Sequence, residues 1–159
     1  MSLPETIFNL LIDALWSGVA ALGFGVLFNV PRRLLAGCFL TGALGHASRE
    51  ALMSLGVSIE LSTLAGATLV GFTGQWLARR TDAPASIFGI TGAIPMVPGV
   101  FAYRAMIGIL SVASAEPNMT TGLLVEVGTN AIKTALLLSA LAIGIGAPSL
   151  LFQRPRPVV

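Results

Sequence analysis

Four groups of polar and ionisable residues sit inside stretches of sequence apolar enough to lie in lipid. His46, Arg49 and Glu50, with Ser48 beside them, are three and four apart, which puts them on one face of a helix. Glu126, Asn130 and Lys133 repeat that spacing, and so do Asn9, Asp13 and Ser17. The fourth group lies in Ile-Pro-Met-Val-Pro-Gly-Val-Phe-Ala-Tyr-Arg, residues 94 to 104. Its prolines, Pro95 and Pro98, remove backbone donors, and Gly99 lets the chain take angles that other residues avoid. An ionisable side chain at mid-membrane costs about 2.5 to 3.5 kcal/mol on insertion scales, so each one needs a partner, water or a task.

The chemistry these groups suggest is recognition of a small anion coupled to proton movement. Arg104 follows the proline break closely, and a guanidinium with five fixed donors suits a carboxylate. Backbone groups freed at the break add polar contacts, and a half-helix starting near Pro98 aims its positive end at an anion. The expected substrate-binding set is therefore Arg104, Tyr103, Arg49, Pro95, Pro98 and Gly99. A proton-coupling or polar network is expected from His46, Glu50, Glu126, Asn130, Lys133 and Asp13. The competing reading is purely structural: Arg49 or His46 pairs with Glu50, and Arg104 pairs with Glu126 or Glu60.

Other chemistries find no support. The chain has a single histidine and neither a Gly-x-Ser-x-Gly nor a His-Glu-x-x-His pattern, so an enzyme is not expected. Cys38 is alone, which excludes internal disulfides and cysteine metal sites. No Walker-type phosphate loop is present, so neither ATP nor any other cofactor is expected on this chain. A net charge of +2, spread as isolated pairs, is no nucleic-acid footprint despite a pI near 9.3.

The elements that must carry these groups are membrane helices. Apolar residues make up 55% of the 159, and charged residues only 10%, well under the usual quarter. Six of the nine basic residues fall at three places, Arg32 with Arg33, Arg79 with Arg80, and Arg154 with Arg156, each after an apolar stretch. Basic loops stay cytoplasmic, which predicts an all-α, polytopic helical bundle with its N-terminus outside and its C-terminus inside. About five segments are expected, near 6–30, 34–55, 58–78, 83–114 and 118–152, the fourth broken at Pro95 to Gly99. Residues 83–114 as one helix would measure about 48 Å against a hydrocarbon core of about 30 Å. The alternative is a re-entrant hairpin at 84–112 with four crossings. A single transmembrane domain over 1–153 and a short disordered tail at 154–159 complete the expectation, with small-residue pairs such as Ala67 and Gly71 packing the helices.

Several stretches resemble the threonine/serine exporter (ThrE) family, and within it the small, YjjB-type subunit. They are Phe28-Asn29-Val30-Pro31, Gly45-His46-Ala47-Ser48-Arg49, Glu60 to Gly71, Ile94-Pro95-Met96-Val97-Pro98-Gly99 with Ala102-Tyr103, and the Arg-Pro-Arg tail. The proline-glycine-tyrosine segment is the most specific. The resemblance implies a multi-pass subunit of the bacterial inner membrane that works with a larger YjjP-like subunit, as part of an oligomer in the lipid bilayer. It also implies export of small carboxylates such as succinate, while single-chain relatives export threonine and serine. No family substrate site carries over to individual residues here. A chain this short is small for a complete alternating-access transporter, which agrees with the need for a partner.

Overall fold

The computed structural model describes residues 3–114 and 117–152, without the side chains of residues 3, 4 and 117–120; the tail expected at 154–159 lies outside the described residues. Among these residues the secondary structure is entirely helical. The helices are α1 (Leu3–Leu27), α2 (Leu35–Ser54), α3 (Ile59–Thr81), α4 (Ala85–Ala93), α5 (Gly99–Ser114) and α6 (Pro117–Phe152), with 3-10 turns at Arg32–Leu34 and Ile94–Met96.

Helix ends follow from local chemistry. α1 stops at Leu27, short of the expected residue 30, because Asn29 turns left-handed at φ 56° and closes the end. The Val30 amide donates to Gly25 O at 2.9 Å and the Asn29 amide to Val26 O at 3.0 Å, which uses carbonyls the helix end would leave bare. Pro31 then bars any return to helix before the 3-10 turn. α3 opens on Ser58, whose hydroxyl accepts from the Leu61 amide, and ends at Asp82, also left-handed at φ 49°. α4 cannot run on because Pro95 and Pro98 lack the amides that Thr91 O and Ile94 O would need.

Length and apolarity qualify α1 and α6 as bilayer crossings, and a third exists if α4 and α5 together form one broken span. The five segments expected from the charge map also require α2 and α3. These have 20 and 23 residues, long enough for about 30 Å, but carry Arg49 and Glu50, or Glu60, Arg79 and Arg80.

By their contacts the residues form two units. The first holds α1 to α4, the second 3-10 turn and the end of α6 from Ala140. Small residues let its helices touch through their backbones, as membrane packing requires. A Cβ on Gly66 of α3 would fall 2.6 Å from Gly45 O on α2, and one on Gly144 of α6 would fall 2.6 Å from the Ala67 Cβ on α3. Two buried clusters fill the interior: Ala67, Val70, Ala93, Met96 and Leu141, and separately Leu34, Cys38, Ala78 and Phe88. Most helix hydroxyls bond backwards to their own carbonyls, as Thr63 does to Ile59 O at 2.6 Å, so they need no water.

The second cluster orders the charges. It joins Leu34, next to Arg32 and Arg33, to Ala78, next to Arg79 and Arg80, so both basic pairs lie at one end of the unit. Asp13, Glu50 and Glu60 all lie toward the other end. The second unit is α5 with α6 as far as Ser139, in which Gly108 is pressed against Val127.

Candidate functional site

In the first unit, α1 brings Asp13 and α2 brings His46 to the same depth. Asp13 lies about 15 Å along α1 and His46 about 12 Å from the opposite-running end of α2, at 1.5 Å per residue. The two meet: His46 Nδ1 donates to Asp13 Oδ2 at 2.5 Å. A carboxylate only accepts, so the ring presents its N–H at Nδ1. His46 therefore pairs across helices and not with Glu50, the partner considered from spacing alone.

One turn further along α2, Arg49 reaches the chain break. Its Nη1 donates to Met96 O at 3.3 Å. In an unbroken helix that carbonyl would take the amide of residue 100; the break frees it, and the guanidinium satisfies it. The carboxylates of Glu50 and Asp13 both act on Arg49 electrostatically. Arg49 Nε is buried with no bonding partner, and so is the hydroxyl of Ser62 on α3. Ser62 lies one turn from Gly66, where a Cβ would come within 3.3 Å of the Arg49 Cβ, so both orphaned atoms belong to the α2–α3 seam. Beside the pair an open cleft of about 900 Å³ runs between α1 and α2, lined by Asn9, Asp13, Glu50 and Ser54 among others.

The break itself makes no use of the freedom that Gly99 offers. Gly99 does not adopt a left-handed conformation, and a Cβ there would meet open space, so neither backbone strain nor a close approach requires glycine. The prolines make the break without it. Pro95 sits within the 3-10 turn that presents the Met96 carbonyl, and Pro98 precedes α5, its own carbonyl taking the Ala102 amide at 3.1 Å.

The remaining expected residues belong to the second unit. Tyr103 and Arg104 of α5 line a small pocket of about 170 Å³ with Ser111 and with Glu126 of α6. Arg104 and Glu126 are exposed and form no ion pair with each other. Asn130 is buried and donates to Glu126 O at 2.9 Å, within its own helix. Lys133 Nζ stands 5.4 Å from the Phe101 ring centroid, a cation–π contact between α5 and α6 within the second unit.

The pairing of Asp13 with His46 and the role of the Met96 carbonyl went unread in the sequence. The first was signalled by depth: two polar residues equally far from the same end of antiparallel helices. No sequence pattern marks the Ser62 hydroxyl, because it differs from neighbouring helix hydroxyls only in lacking a bond.

Apolar helices fit to cross a bilayer, with their charged groups gathered at a break and a lateral cleft, define a helical membrane protein of transporter type. Residues 13–151 match the family described as Threonine/Serine exporter, ThrE, and the chain belongs to that family. No solved structure matches it.

Proposed function

We propose that this chain is a multi-pass subunit of a bacterial inner-membrane exporter, in which the Asp13–His46–Arg49–Glu50 cluster handles an amino acid of the threonine or serine type. The observation that carries this reading is the company Arg49 keeps. A zwitterion needs a cation for its carboxylate and an anion for its ammonium, and Asp13 and Glu50 line one cleft while Arg49, next in sequence to Glu50, stands within the electrostatic reach of both. The family description supports the same substrate class. His46 and Asp13 are the groups through which a proton couples to transport, since they are in direct contact and Asp13 lines the cleft. Five membrane segments, with α4 and α5 as the broken fourth, and a cytoplasmic basic end agree with the shared position of Arg32, Arg33, Arg79 and Arg80. The working transporter is an oligomer that includes a larger YjjP-like subunit.

A dicarboxylate such as succinate is the second reading, favoured by the pocket of the second unit that holds Arg104 with Tyr103, a cation suited to a carboxylate. Co-purification with the larger subunit, reconstitution into vesicles and counterflow of labelled threonine, serine and succinate separate the two. Threonine exchange lost in Arg49→Gln supports the first reading. Succinate exchange lost in Arg104→Gln supports the second, and exchange of none of the three removes both.

A further inference from the structure

The last turns of α3 carry arginines that no ion pair among the described residues neutralises. Arg79 and Arg80 are exposed, and among the described residues no acidic side chain pairs with either. Arg80 instead lies over the indole of Trp76, its guanidinium carbon 4.8 Å from the ring centroid, which holds the charge close to the helix surface. Arg79 lines a groove of about 230 Å³ between α3 and the end of α6, walled by Phe72, Trp76, Pro148 and Phe152. The Phe72 and Phe152 rings meet edge to face at 5.9 Å, forming a continuous apolar wall below the charges. Gln75 belongs both to this groove and to a neighbouring pocket of about 240 Å³ that adds Ser86 and Ser149.

The arrangement is amphipathic along one line: guanidiniums at the helix end, an indole beside them, aromatic hydrocarbon beneath. From it we infer that this groove binds an anionic phospholipid. The phosphate takes the donors of Arg79 and Arg80, and an acyl chain lies along Phe72 and Phe152. Arginine forks match phosphate oxygens, and tryptophan belongs at the headgroup level of a bilayer. A soluble phosphate would use the arginines but leave the aromatic wall without an occupant. The site stands apart from the Asp13–His46–Arg49 cluster and does not depend on which substrate is carried.

The test uses the full chain in mild detergent, by native mass spectrometry and thermal melting with phosphatidylglycerol, phosphatidylcholine and glycerol 3-phosphate. Phosphatidylglycerol is expected to stay bound and raise the melting temperature, the other two to do neither. Arg79→Gln with Arg80→Gln should weaken phosphatidylglycerol binding by about tenfold or more, given the attraction of each basic residue to anionic lipid. Arg32→Gln with Arg33→Gln, at the same end but off the groove, should keep it, and Phe152→Ala should weaken it without removing a charge. Equal effects of the two lipids, or a shift retained in the Arg79/Arg80 variant, would overturn the site. Stabilisation by glycerol 3-phosphate equal to that by the lipid would mean that a soluble phosphate is bound instead.

Discussion

His46 on α2 and Asp13 on α1 are joined at 2.5 Å, a direct ionic contact between those two helices. The bond lies beside a cleft that Asp13 itself lines, so making or breaking it changes both the charge of the cleft and the tie between its walls.

Transport should therefore fall when the imidazole is removed. His46→Gln keeps a donor but loses the ionic contact with Asp13, so the rate in reconstituted vesicles should drop. Asp13→Asn should give a similar loss. The double variant should be far from additive, with a coupling of about 0.5 to 3 kcal/mol in a melting cycle, as for residues in direct contact. Additive effects would separate the two residues.

Arg49 should resist conservative replacement. Arg49→Lys keeps the charge but loses the planar fork, and Arg49→Gln loses both. Each leaves the Met96 carbonyl less well satisfied, so both should melt earlier, with a cost of about 1 to 3 kcal/mol for an orphaned buried group. Exchange activity should fall in both. Wild-type exchange by Arg49→Lys would reduce the residue to a point charge.

At the break, Gly99→Ala should be tolerated, with unchanged yield and melting, because the residue is neither left-handed nor crowded. Pro98→Ala should perturb more, since it returns the amide whose absence helps end the preceding helix. A loss of folding in Gly99→Ala would contradict the geometry at this residue.

Gly144→Val should destabilise the first unit. Even a methyl group at residue 144 would come within 2.8 Å of the Thr68 amide and 2.9 Å of Leu64 O, backbone atoms that cannot rotate away. Overpacking of this kind typically costs about 1 to 3 kcal/mol. Gly146→Ala, two residues on, meets nothing and serves as the control in the same melting experiment.

Much of this was legible before any coordinates. Apolar composition dictates helices, the prolines at 95 and 98 dictate a break, and three- and four-residue spacings put His46, Arg49 and Glu50 on one face. The partners were harder to read, because spacing describes one helix and pairing depends on which helix lies alongside. Spacing kept Asp13 and His46 in separate groups, and it gave no sign that Phe101 lies beside Lys133. Gly99 permits unusual angles that the break does not use. Asn29 was overlooked as a helix stop because a left-handed asparagine is much rarer than a left-handed glycine.

The charge order of the first unit has an energetic consequence for biogenesis. Arg32, Arg33, Arg79 and Arg80 lie at one end with a single carboxylate, Asp82, beside them, and Glu50 and Glu60 lie toward the other, so the basic end carries a net positive charge. Each elementary charge moved through a potential of 100 mV takes up about 2.3 kcal/mol. On the proposed topology, with the basic end cytoplasmic, inverting the chain would move that charge against a negative interior. The resting potential would then act as a ratchet on insertion in favour of the proposed orientation.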